Sequence, residues 1–217
     1  ISTMSISKLQ RRLALYKAEF DSIENYNSNG VDIKYVDIVI TERCSMKCES
    51  CSNLMQYYSK PNNSDYDLLI SSVDKLMNII GNLYEFRVIG GEPFVNNQIG
   101  KIVNRLSEYQ NAENIVIYTN GTILPKGENL ESLKNKKVFV EITDYGVHSR
   151  NHKNLLELFK LNNIKYNTSI PIWTDSGTLN YQNKTEETLI QMFNNCCMND
   201  VLSLLNGKLY RCPFSAN

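Results

Sequence analysis

Apolar residues recur along this chain in two alternating rhythms. Short runs dense in β-branched and aliphatic side chains read as buried strands: Tyr35-Val-Asp-Ile-Val-Ile40, Glu85-Phe-Arg-Val-Ile89, Ile115-Val-Ile-Tyr118, Val138-Phe-Val-Glu-Ile142 and Lys165 to Ile170. Between them the apolar positions fall at three- and four-residue steps, as in Leu68, Leu69, Val73, Leu76, Met77 and Ile80, which is the stripe of a helix packed on one side. Further helices are expected near Ile99 to Tyr109, near Leu130, and from Leu155 to Leu161.

A strand can reach a parallel neighbour only by crossing the face of the sheet, so strands separated by helical segments predict parallel pairing with right-handed crossovers. An α/β barrel or an open doubly wound sheet follows, and in either one the reactive residues belong at the C-terminal ends of the strands. The unusual motifs meet that placement. Cys44 follows the first strand, Gly90-Gly91-Glu92-Pro93 the second, Thr119-Asn120-Gly121 the third and Thr143-Asp144 the fourth. Two segments flank this core. Residues 1–30 carry Ile6, Leu9, Leu13, Tyr16, Phe20 and Ile23 on one helical stripe that Ser5 would cap. Near the other end, Asn206-Gly207 sits between short apolar runs, the signature of a β-hairpin turn. Residues 171–183 read as a loop.

Charge narrows the partners. The 23 basic and 23 acidic side chains cancel to a formal net charge of zero, so neither a nucleic acid nor an anionic membrane surface is expected. No apolar stretch approaches the ~20 residues of a membrane helix, and residues 1–30 lack the basic-then-apolar pattern of a secretory signal. The expected compartment is the cytoplasm, with the six cysteines reduced.

Cys44-Ser-Met-Lys-Cys48-Glu-Ser-Cys51 brings three thiols onto one short loop, enough to hold three corners of a cubane iron-sulfur cluster. A zinc site or a set of buried cysteines is the competing explanation, although structural zinc wants a fourth protein ligand. This loop after the first strand, followed by Gly-Gly-Glu-Pro after the second, resembles the signature of the radical S-adenosylmethionine superfamily over about residues 34–170. The resemblance implies a partial (β/α) barrel over 31–183, and a 4Fe-4S cluster on Cys44, Cys48 and Cys51 whose open iron chelates S-adenosylmethionine. It also implies that Gly90, Gly91, Glu92 and Pro93 bind the methionyl amine, and that Asn120 shapes the pocket floor. Thr143 and Asp144 would face the ribose, unless they cap the next helix. Many members carry an aromatic residue just before the third cysteine; Ser50 stands there in this chain. Adenine contacts must then come partly from elsewhere. His148 and His152 share a helical spacing but lack a third partner, and solvent exposure is expected for both.

Cys196, Cys197 and Cys212 flank the expected hairpin and resemble the opening of a twitch or SPASM extension, 184–217, where they would begin the cage of an auxiliary cluster. With the chain ending five residues after Cys212, that extension reads as truncated. The implied reaction is one-electron cleavage of S-adenosylmethionine to a 5′-deoxyadenosyl radical that takes hydrogen from a small polar substrate, such as a carbohydrate. Tyr57, Tyr58 and Trp173 would line the mouth, and a flavodoxin or ferredoxin would supply the electron. A peptide or protein substrate, and a non-catalytic iron-sulfur electron-transfer protein, are the alternatives.

Overall fold

The computed structural model describes residues 30–171, 182–196 and 201–216. The expected N-terminal helix, Trp173 and Cys197 lie outside them.

The described residues build an unclosed seven-stranded sheet in the order β5-β4-β3-β2-β1-β6-β7. The strands are β1 (Val31–Val39), β2 (Ile80–Ile89), β3 (Ala112–Thr119), β4 (Val138–Thr143), β5 (Tyr166–Ser169), β6 (Leu202–Leu205) and β7 (Lys208–Tyr210). All neighbours are parallel except β6 and β7, which form the expected hairpin about Asn206 and Gly207, both with positive φ. The partial (β/α) barrel is therefore present. The hairpin of the 184–217 segment is stitched to it, because β6 pairs with β1.

The crossovers carry α1 (Tyr66–Ile79), α2 (Ile99–Ser107), the short α3 (Glu128–Glu131) and α4 (His152–Leu161); α5 (Glu186–Asn194) precedes β6 and α6 (Pro213–Ala216) follows β7. Asp65 starts α1 by accepting the Leu68 N–H at 2.8 Å, which supplies one of the donors a helix N-terminus leaves unpaired. One face of the sheet packs on these helices through Val36, Ile38, Phe86, Val88, Ile115 and Ile117, all fully buried. Alternation turns the next residues to the opposite face, and there the chain buries charge. Arg87 of β2 lies 3.3 Å from Asp37 of β1 and 3.9 Å from Glu85, with its guanidinium 5.0 Å from the rings of both Tyr35 and Tyr118. Burial alone would lower the Arg87 pKa, but Tyr118, Asp37, Glu85 and Tyr35 outweigh it and hold the guanidinium more firmly charged.

Two elements depart from expectation. Strand β2 begins at Ile80, directly after α1, where the apolar pattern placed Ile80 on the helix and started the strand at Glu85. The early start is fixed by partners, since Ile80 and Leu83 pair with Val31 and Ile33 of β1. The helix near Leu130 is only one turn, extended by a 3₁₀ turn at Ser132–Lys134.

Candidate functional site

At the C-terminal edge of the sheet, β1 keeps running alongside β2 after both strands have formally ended. The Ile40 N–H donates to the Ile89 carbonyl, the Gly91 N–H to Thr41 and the Glu92 N–H to Arg43, each at 2.9 Å. The Gly-Gly-Glu-Pro loop is thus laced to the segment that delivers Cys44. The sequence suggests that the two glycines admit a ligand; the structure gives them another task. A Cβ on Gly90, whose φ is +154°, would collide with the Thr41 carbonyl oxygen. One on Gly91 would lie 2.5 Å from the Arg43 carbonyl carbon and 2.7 Å from the Cys44 Cβ. The glycines let two loops touch backbone to backbone.

Glu92 has no solvent exposure. Its Oε1 accepts from the Thr119 hydroxyl at 2.8 Å and the Phe94 N–H at 3.1 Å, and its Oε2 from the Asn120 N–H at 2.8 Å. Burial pushes this carboxyl up to about 7 against the pull of those donors. A carboxylate has about four acceptor sites, so three are in use, binding the second loop to the third. Pro93 opens the 3₁₀ turn that Glu92 caps, and the fully buried Asn96 ties the turn back to the Ile40 carbonyl at 2.8 Å. Asn96 escaped the sequence reading, because nothing in the linear pattern marks a bond reaching back to β1.

The third loop closes on the cysteines. The Asn120 amide nitrogen donates to Ser45 Oγ at 3.1 Å and reaches Cys44 Sγ at 3.8 Å, while the Met46 N–H donates to the same sulfur at 3.4 Å. Cys44, Cys48 and Cys51 are unpaired by disulfide and partly buried. Burial pushes the Cys44 thiol up to about 11, with Glu92, Cys51 and Cys48 adding to it, and burial followed by Cys51 raises Cys48. Among the described residues no three His, Cys, Asp or Glu side chains converge to hold a single metal ion. A cubane makes no such demand, because its corner irons are spread apart; three soft sulfur ligands on one loop, with two N–H donors at Cys44, suit it.

Tyr145, just beyond β4, is the residue the sequence missed. Its phenol is pushed up to about 12 by burial first, then by Cys48, Cys51, Cys44 and Glu92, so it lies within electrostatic reach of the thiols, and its backbone N–H donates to Ser149 Oγ at 2.8 Å. Only its place at the C-terminal edge of the sheet, beside Asp144, signalled it. Asp144 itself turns to local work: Oδ1 accepts the Gly146 N–H at 2.8 Å and Oδ2 lies 3.8 Å from His152 Nδ1. Thr143 is half-buried, and its carbonyl accepts from Ser149 Oγ at 3.3 Å. His148 is exposed as expected, but His152 is not, since its Nε2 bonds Thr168 Oγ1 at 2.8 Å. Tyr57 is exposed, and Tyr58 is half-buried near Glu42 and Tyr210. Cys196 is exposed, and the Cys212 thiol donates to Ser215 Oγ at 3.7 Å.

Residues 38–171 match the family described as the radical SAM superfamily. The chain belongs to that superfamily. As a radical SAM protein it takes a 4Fe-4S cluster and S-adenosylmethionine as its cofactors. It is similar to the GTP 3′,8-cyclase of Clostridium acetobutylicum, 30% identical over 54% of this chain and 36% of that one, and to the same enzyme of Limosilactobacillus fermentum, 31% identical over 42% and 28%. The matched stretches thus span about a third of these curated relatives. Among solved structures, BtrN in complex with AdoMet and 2-DOIA aligns over 85% of this chain and 75% of its own, at TM-score 0.54 and 17% identity. Streptococcus suis SuiB bound to S-adenosylmethionine aligns over 94% and 48%, at TM-score 0.52 and 14%. Both likenesses support the partial-barrel fold. Among the described residues no helix is long and apolar enough to cross a membrane.

Proposed function

We propose that this radical SAM enzyme cleaves S-adenosylmethionine at a cluster held by Cys44, Cys48 and Cys51 and directs the radical to hydrogen on a small polar substrate. The observation that carries the reading is the lacing of the Gly-Gly-Glu loop and Asn120 onto the segment that presents Cys44. When bound, the cluster would supply the single electron that splits S-adenosylmethionine into methionine and a 5′-deoxyadenosyl radical.

The chain's own residues then bind and orient. Gly90 to Pro93 would offer their backbone to the methionyl amine, with the buried Glu92 carboxyl holding the loop in place behind it, and Thr143 with Asp144 stand on the edge where ribose hydroxyls would lie. Tyr145 supplies the aromatic surface that Ser50 does not, against adenine. We assign 31–183 to the barrel and 184–217 to an extension whose Cys196, Cys197 and Cys212 are candidates for a second cluster. An electron donor of the flavodoxin or ferredoxin kind would serve it. A small substrate is favoured by the zero net charge, by relatives that cyclise a nucleotide, and by alignment over most of BtrN.

Anaerobic reconstitution should give about four irons per chain, or about eight with an auxiliary cluster. Dithionite and S-adenosylmethionine should then yield 5′-deoxyadenosine, and Cys48→Ala should abolish both iron binding and product. Iron without cleavage would support an electron-transfer protein, and zinc alone would sink the cluster reading. Tyr145→Ala should weaken S-adenosylmethionine binding about tenfold or more, as loss of one base-stacking ring does, with iron content unchanged; Tyr145→Phe should bind as the wild type. Equilibrium binding to the reconstituted protein measures this, and equal affinity in all three would remove Tyr145 from the site.

A further inference from the structure

We infer that the Asn120 side-chain amide sets the electron affinity of the cluster through its N–H···S contact with Cys44. The inference rests on the cluster reading above and adds a positioning residue to it.

The orientation of the amide is fixed by its surroundings. Oδ1 takes the Thr122 backbone N–H at 3.1 Å, a group that can only donate, and the Thr122 hydroxyl at 2.6 Å. Ser45 Oγ lies between the two ends of the amide, 3.4 Å from Oδ1 and 3.1 Å from the nitrogen, and the end that faces Cys44 must therefore be the –NH₂. Ser45 Oγ and Thr122 Oγ1 are 2.5 Å apart, so the two loops are clipped together beside the amide. The Asn120 backbone is fixed in turn by its N–H bond to the buried Glu92 carboxyl. An N···S separation of 3.8 Å is within reach of the large, soft sulfur, and the Met46 N–H approaches the same atom at 3.4 Å. Two donors thus point at one sulfur.

Reduction adds negative charge to a cluster and its thiolates, and a donor held at sulfur stabilises the reduced form more than the oxidised one. Hydrogen bonds to sulfur are among the protein's main controls on cluster potential. The Asn120 amide is a dipole fixed before the electron arrives, so it needs no rearrangement when the charge appears. Removing it should make the cluster harder to reduce.

The test is an EPR-monitored redox titration of the anaerobically reconstituted full chain without S-adenosylmethionine, comparing wild type with Asn120→Ala and the isosteric Asn120→Asp. Loss of a hydrogen bond to a charged group predicts about a tenfold lower reduced-to-oxidised ratio at fixed potential, a shift of ~59 mV to more negative values. Asn120→Asp, which sets a like charge beside the sulfur, should shift further. Variants that load iron and keep the wild-type midpoint overturn the inference. Should the variants fail to load, pulsed EPR on the reduced wild type carrying ¹⁵N-amide asparagine decides it: a ¹⁵N coupling supports the contact and its absence overturns it. Wild type that binds no iron would bring down the cluster reading itself, a result distinct from all of these.

Discussion

Replacing Arg87 by methionine is expected to lower the stability of the fold by about 3–5 kcal/mol, the usual consequence of leaving a buried charge without its partner. Asp37 is fully buried and 3.3 Å from Arg87, and methionine fills most of the space between Tyr35 and Tyr118 while removing the charge. In a chain of this size that corresponds to roughly 6–20 °C in Tm. The loss should also depend on pH. Burial raises the Asp37 carboxyl above its ordinary value, opposed by Arg87 and Ser203. Without Arg87 the folded-state value rises further above the unfolded one, so folding takes up a proton at Asp37. Stability is then retained below the unfolded value of about 3.9 and lost progressively as pH rises through the folded one. The deficit of Arg87→Met should therefore shrink on acidification toward pH 5. Adding Asp37→Leu should recover most of it, since an apolar pair of similar volume is often as stable as the ion pair. Denaturant unfolding across pH measures all three, and a pH-independent loss below ~1 kcal/mol would show that the ion pair is not what holds this face together.

Gly91→Ala is expected to leave the protein unable to hold its cluster. The new methyl group meets the Arg43 carbonyl and the Cys44 Cβ, neither of which is the yielding end of a flexible side chain, so the loops must separate or Cys44 must move. Overpacking of this kind costs about 1–3 kcal/mol, and a displaced Cys44 breaks the ligand set as well. Gly127→Ala separates crowding from backbone strain: φ there is +54° but nothing lies within 4 Å of the added Cβ. It should lose ~1 kcal/mol and bind iron normally. Iron per chain after reconstitution, read beside Tm, distinguishes the two, and wild-type iron in Gly91→Ala would show that the two loops need not touch.

Much of this molecule was legible in its pattern. Five strands, their parallel order and the gathering of Cys44, Gly90 to Pro93, Asn120 and Thr143 at one edge follow from periodicity and from where the motifs fall along it. What escaped was the part that depends on partners distant in sequence. Ile80 looks helical until β1 is set beside it. Asp37 and Arg87 look like blemishes in apolar strands until the register makes them direct neighbours. The glycines of the second loop suit a ligand equally well on paper, and only the nearness of Thr41 and Arg43 shows what their missing side chains make room for. Tyr145 and the sulfur-directed amide of Asn120 belong to the same class, since side chains from separate loops converge by geometry and leave no spacing to read.

The sheet order also has a bearing on when the site takes shape. Every bond described between the cysteine loop and its supports joins residues between Ile40 and Thr122, whereas the far side of β1 is covered by β6, with Val36 paired to Leu202. Closing that longer loop costs more entropy and comes later on kinetic grounds. The supports of the thiols are therefore expected to come together from residues nearer in sequence than the pairing of β6 with β1 requires.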